Sequence, residues 1–172
     1  MSGMEIVEGP KLVALPETRY VGIRVVTPFR GMFAVRDKLM AELYGWLDDH
    51  GVTDFGHTFF RLHVIDMDGP MDVELGVITE HQGDDRVRSG VLPAGNYASL
   101  TYVNHARRAN RTLVEWIRDN GYKADSWDIS EGEQFACRYE AYLTDPRTER
   151  MKTKWQVGLA IRVTDPNRPQ RT

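Results

Sequence analysis

Hydrophobic and polar positions along this chain change period in a repeating order. TRYVGIRVVT (18–27) is rich in β-branched and aromatic residues and predicts a strand. PFRG breaks it. From Phe33 to His50 the spacing turns helical: Val35, Leu39, Leu43, Trp46 and Leu47 fall three or four apart on one stripe. Gly51 follows, where a helix ends in the left-handed conformation that glycine adopts at low cost. HTFFRLHVID (57–66) and MDVELGVITE (71–80), separated by the turn signal MDGP, predict two strands of a hairpin.

After the polar stretch HQGDDRVRSG (81–90), a natural linker, the order returns. GVLPAGNYASLTYV (90–103) predicts a strand. Ala106–Asn120 predicts a helix with Ala109, Leu113, Trp116 and Ile117 on one stripe, closed by Gly121. EQFACRYEAYLTDP (133–146) and KTKWQVGLAIRV (152–163) predict two more strands, and the tail TDPNRPQRT is too polar and proline-rich to pack. The helix ends WLDDHG (46–51) and WIRDNG (116–121) align tryptophan with tryptophan and glycine with glycine. Leu39 then meets Ala109, Leu43 meets Leu113 and Leu47 meets Ile117. The prediction is one α+β domain over 1–172, made of two β-α-β-β repeats at about 4–80 and 90–164. Six to eight antiparallel strands would carry both helices on one face. A ligand groove is expected at the pseudo-twofold seam, on the face the helices leave uncovered, so its lining should be strand residues that point away from the helices.

Composition adds exclusions. Hydrophobic residues are 41% and charged residues 27%, an ordinary globular balance. A net charge of −3 supplies no basic field for nucleic acid. The basic cluster HARRANR (105–111) reads as a solvated helix start. No apolar run reaches the ~18–20 residues of a membrane helix, and the first residues do not form a secretory signal. The lone Cys137 rules out an intrachain disulfide and fits a reducing compartment, so a cytoplasmic location is expected. Exposed sheet edges leave room for a homodimer.

Candidate chemistry centres on Glu140. It lies in an apolar strand beside Tyr139 and Tyr142. Burial of such a carboxyl is costly and raises its pKa, which suits pairing with a lipophilic cation or acid/base work. Glu74 shares a strand face with Asp72 and Gly76, away from the helices. Tyr20, Tyr97, Tyr142, Trp127 (in a loop) and Trp155 (on the last strand) are candidate aromatic walls, whereas Trp46 and Trp116 fall on helix stripes and read as core. His63 is a candidate base. The five histidines lack zinc spacing, and no nucleotide-binding loop or nucleophile elbow is present, so neither metal nor cofactor is expected.

MDVELGVIT, then VLPAGNYASLTYV, a helix ending in WIRDNG, and YEAYLTDP with a last strand resemble the GyrI-like (gyrase-inhibitor-like) small-molecule-binding domain over about 4–164. That resemblance implies a duplicated β-α-β-β fold with a central groove. It also implies an acid in a pattern like aromatic-Glu-x-aromatic-x-x-Asp-Pro, whose place Glu140 takes. It implies binding of a hydrophobic or aromatic small molecule, cationic ones included, as in effector-binding halves of multidrug-sensing activators. Two alternatives come with it: hydrolysis of cyclopropanoid alkylating toxins, with Glu140 catalytic, and a protein-interaction role such as gyrase inhibition. The chain departs from the family in having VNHARRA where a His-x-Gly-Pro-Tyr-like stretch is common. It is also expected to lack the DNA-binding helical domain of complete activators, and so not to bind nucleic acid directly.

Overall fold

The computed structural model describes residues 3–164, so the polar tail lies outside the described residues. Its elements are β1 (Glu5–Leu15), β2 (Thr18–Pro28), α1 (Met32–Asp49), β3 (Thr58–Ile65), β4 (Pro70–Ile78), β5 (Arg88–Leu92), β6 (Gly95–Val103), α2 (Ala106–Asp119), β7 (Ser126–Ile129), β8 (Gly132–Phe135), β9 (Arg138–Tyr142) and β10 (Gln156–Arg162). Both helices and the strand hairpins after them stand close to where hydrophobic spacing puts them. Four details differ. Residues 5–15 form a strand that their charges and central Gly-Pro obscure; it is a mostly exposed edge strand, where proline is tolerated. The stretch 90–103 divides at Pro93–Ala94 into β5 and β6, and β5 begins inside the expected linker. The stretch 133–146 divides at Ala136–Cys137 into β8 and β9. Trp127 lies in β7 rather than a loop, and Trp155 follows a 3-10 turn (Lys152–Lys154) just before β10 rather than on it.

The strand order is β1-β6-β10-β9-β3-β4-β2-β5, with the β7–β8 hairpin branching from β3. The two halves meet where β3 runs antiparallel to β9, and Phe60 faces Glu140 there. A twofold placed on that pair carries β3-β4-β2-β5 onto β9-β10-β6-β1. Register then matches Tyr20 with Tyr97, Leu75 with Leu159, and Glu74 with Gly158. The edge strands are exchanged: β1 flanks the second half and β5 the first.

The helix ends agree bond for bond. His50 and Asn120 N–H each donate to the tryptophan carbonyl four residues back at 3.0 Å. Val52 N–H reaches Leu47 O at 2.9 Å, and Tyr122 N–H reaches Ile117 O at 3.0 Å. Gly51 and Gly121 hold φ of 63° and 75°, the left-handed closure both glycines predict. Trp46 and Trp116 are half-buried and pack against the edge of the main core: Trp46 donates its indole N–H to Asp84 at 2.7 Å, and Trp116 stacks on Tyr122 at 5.7 Å.

The main core lies between helices and sheet, with Leu43, Leu47, Leu113 and Ile117 against Ile23, Leu75, Leu100 and Leu159. A smaller core fills the back of the sheet at the seam. There Tyr20, Phe59, Tyr97 and Tyr139 meet edge to face at 4.9, 5.7 and 6.2 Å between centroids. The Phe59 ring rests on Gly76, where any Cβ would lie 2.5 Å from Cζ. Leu43→Ala and Leu113→Ala, at fully buried matching positions, should each lower unfolding stability by about 2–5 kcal/mol in urea titration. A cost well below that for either would mean its helix is not seated as described.

Candidate functional site

Strand pairing decides which face Glu140 joins. Directly opposed residues share a face, and Glu140 lies between Phe60 on β3 and Leu159 on β10. Both belong to the helix-side core. Glu140 therefore points toward the helices, not away from them. On the uncovered face the aromatic cluster of Tyr20, Phe59, Tyr97 and Tyr139 packs the seam, with a polar cavity beside it, so what is corrected is the placing of Glu140 on that face. An apolar cleft opens on the helix side, between the N-terminal turns of α1 and α2.

That cleft has two lobes that share Phe33, Ala106 and Glu140. One is about 310 Å³, walled by Phe29, Met32, Leu62, Met71 and Ile161, with Arg138 and Asn110 at its side. The other is about 240 Å³, walled by Tyr102, Tyr142, Trp155 and Val157. Tyr142 and Trp155 meet edge to face at 5.6 Å. Arg36 of α1, only 6% exposed, extends into this aromatic cage. Its Cζ stands 4.7 Å from the Phe33 centroid, 5.3 Å from Tyr142 and 5.8 Å from Trp155, all within cation–π range. It donates to the Tyr142 hydroxyl at 3.3 Å and to Asp37 at 2.9 Å, and Asp37 is also paired with Lys152.

Burial pushes the Glu140 carboxyl up to about 6, against the pull of Arg36, a Tyr142 hydrogen bond and Arg138. Arg138 in turn donates to Asn110 Oδ1 at 3.2 Å and lies over the Phe135 ring at 5.0 Å. Arg138 is the strand neighbour that the sequence offers as a partner for Glu140, but Arg36 was not among the residues singled out. Arg36 had a readable signal: it falls on the buried α1 face between Met32 and Leu39, where an apolar residue belongs.

The sequence candidates divide across the sheet. Glu140, Tyr142 and Trp155 come together in the cleft. Tyr20, Glu74, His63 and Trp127 line a different, polar cavity on the back. There Tyr20 donates to Glu74 at 2.6 Å and His63 Nε2–H donates to the same oxygen at 2.8 Å. Burial alone would raise Glu74, yet the bonds from His63 and Tyr20 bring its carboxyl below the ordinary value. Tyr97 lines neither cavity; it is buried at the back seam and donates to Pro93 O at 2.6 Å. No group of three or more metal-ligating side chains is present among the described residues. No helix there is long and apolar enough to cross a membrane.

Two helices on one large antiparallel sheet, with an apolar cleft between them and a buried carboxyl on its floor, define a small-molecule-binding α+β domain. The chain belongs to the GyrI-like small molecule binding domain family, whose model matches residues 9–164. No curated protein matches the chain. Among solved structures it is similar to EcmrR in its DNA complex, with a TM-score of 0.66 and 18% identity over 93% of this chain and 57% of that one. The chain thus spans little more than half of that protein. It is also similar to a hydrolase from Listeria innocua, with a TM-score of 0.57 and 13% identity over 90% of this chain and 91% of that one. SAV2435 bound to tetraphenylphosphonium gives a TM-score of 0.51 and 14% identity over 93% and 94%. At these identities the likeness is one of fold.

The Glu140 environment has a measurable consequence. Its carboxyl is held at about 6 in the fold, against 4.5 for a free glutamate. Between those values the folded chain keeps a proton that the unfolded chain releases. Stability should therefore fall by about 2 kcal/mol as pH rises through that window, then stay level. The comparison is wild type against Glu140→Gln by denaturant titration from about pH 4 to 8, since other carboxyls cancel in the difference. A difference that does not change with pH would show that Glu140 is not buried in this way.

Proposed function

We propose that the chain works as one GyrI-like domain of two repeats, about 4–80 and 90–164, that binds a flat hydrophobic molecule in the cleft between α1 and α2. The observation that carries this reading is the buried Glu140 at the floor of an otherwise apolar cleft, beside Tyr142 and Trp155. Apolar walls supply most of the affinity, and the single carboxyl orients the ligand. A cytoplasmic location goes with this reading, supported by the likeness to DNA-bound EcmrR and by a buried free thiol.

Ligand charge depends on Arg36. The tetraphenylphosphonium held by SAV2435 supports a lipophilic cation here, with Glu140 as its counter-charge. However, the cage that would receive a cation already holds the Arg36 guanidinium. The lobe walled by Tyr142 and Trp155 therefore favours neutral planar molecules, and a cation enters that lobe only by moving Arg36.

Tryptophan quenching should show saturable binding of neutral aromatic dyes to the wild type. Arg36→Met should tighten tetraphenylphosphonium by about tenfold, in line with ~0.5–2 kcal/mol for a vacated cation–π place. Glu140→Gln should weaken that cation and leave a neutral dye within about threefold. No saturable binding by any dye would remove the cleft as a site.

One observation favours a second reading. Burial at the cleft floor holds the Glu140 carboxyl near 6, suited to take a proton from a water. The oxygen of that water bonds to a carbon of a strained electrophilic ring, while a ring C–C bond breaks and its electrons pass to the ring's conjugated electron-withdrawing group, as the cyclopropanoid alternative requires. In that case Glu140→Gln keeps binding and loses turnover by ~10²–10⁴-fold; equal turnover in the variant rejects it.

A further inference from the structure

The back of the sheet holds a cavity of about 630 Å³ that the cleft reading leaves unused. The sheet itself separates the two: Glu140 and Phe60 point to the helices, whereas Arg61 and Glu74, paired across β3 and β4, point to the back. The floor is the bonded trio of Tyr20, Glu74 and His63. Four arginines, Arg24, Arg61, Arg88 and Arg162, stand in the walls, and Trp127 on the β7–β8 hairpin forms part of the rim.

Two of the four guanidiniums are neutralised. Asp72 holds Arg24 through two bonds of 2.8 and 2.7 Å, and Asp125 holds Arg162 at 2.6 Å. The other two make no ion pair among the described residues. Arg61 donates only to uncharged oxygens: the Tyr20 hydroxyl at 3.1 Å, Val91 O at 3.0 Å and Ala136 O at 2.9 Å. Its Nε–H is buried with no acceptor. Arg88 reaches only the Asp85 carbonyl, at 3.3 Å. Glu74 is already engaged by two donors. The Glu74 charge, which interacts with Arg61, offsets one of the two unpaired arginines, so the cavity keeps one surplus positive charge and more donors than acceptors. Buried N–H groups without acceptors are rare in folded proteins, and guanidinium forks match carboxylate and phosphate oxygens.

We propose that this back cavity is a second ligand site, separate from the cleft, which binds a small oxyanion (a phosphate or carboxylate group) through Arg61 and Arg88. Its volume suits a metabolite-sized molecule, and Trp127 can cover the part of such a molecule that lies outside the arginines. The site does not rest on the cleft's ligand, so either can fail alone.

The test titrates isotope-labelled protein with inorganic phosphate and, separately, with citrate, which distinguishes phosphoryl from carboxylate recognition. Amide and indole shifts are followed. Saturable shifts are expected at Gly90, Gln134 and the Trp127 indole, with a dissociation constant below about 1 mM for one of the two anions. Arg88→Gln, at an exposed side chain, should weaken that anion by about tenfold or more. Arg61→Lys, which keeps charge but loses the fork, should weaken it as well. Neither should change the affinity of a dye bound in the cleft. Absence of saturable shifts up to about 10 mM of both anions overturns the proposal. So does binding that Arg88→Gln and Arg61→Lys leave unchanged.

Discussion

The antiparallel pairing of β3 with β9 is the constraint on which the rest of the molecule depends. It joins two four-stranded halves into one sheet and places Phe60 opposite Glu140. Without it, each half would present a long central strand as a raw edge, open to pairing with another chain. With it, the ends of the main strand order among the described residues are β1 and β5, which are the exchanged strands. The pairing also sets the positions of α1 and α2, because each helix packs on its own half. The cleft is the space between their N-terminal turns, with Met32, Phe33 and Arg36 of α1 and Ala106 and Asn110 of α2 on its walls.

The two carboxyls that matter break the internal symmetry in opposite ways. The twofold that matches Tyr20 with Tyr97 carries Phe60 onto Glu140 and Glu74 onto Gly158. Each acid therefore has an uncharged mate in the other half. One sits under the helices in an apolar cleft and is hard to ionise. The other sits at the back, where two donors stabilise its charge. Desolvation is the largest influence on both. Glu140 is the more deeply buried and has one hydrogen bond to its charged form, whereas Glu74 has two, from His63 and Tyr20, and the shifts run in opposite directions.

What was legible in the sequence was local. The matched helix ends could be read because a glycine closure and a 3.6-residue stripe depend on neighbours within one or two turns. Glu140 stands out as a carboxyl in an apolar strand, but it was the resemblance to the GyrI-like pattern that marked it as a site residue, and its shared face with Tyr142 followed from strand parity. β1 was not legible, because its stability comes from β6, far along the chain, and not from its own charged, proline-broken sequence. The face of the site was not legible either. Parity tells which residues share a side, but not which side is filled. Four aromatic rings from β2, β3, β6 and β9 fill the back of the seam, and nothing in the period of any one strand announces that they converge. The result was that Tyr20, Glu74, His63 and Trp127 were grouped with residues from which the sheet divides them.

The division is strict because a strand alternates faces with period two. If β9 were to slip by one residue against β3, Tyr139 would enter the cleft and Glu140 would be driven into the aromatic cluster beside Phe59. Neither side tolerates the exchange. Opposite Phe59 the back offers Glu140 mainly the rings of the cluster, and it would leave Arg36 and the Tyr142 hydroxyl without their carboxyl. The cleft would have to accept the bulk of Tyr139 between Phe60 and Leu159. Apolar packing behind the seam and the polar floor in front of it therefore enforce the same register. The pairing that joins the halves is the one that gives the cleft its carboxyl, so the contact that holds the sheet together also fixes the chemistry of the cleft floor.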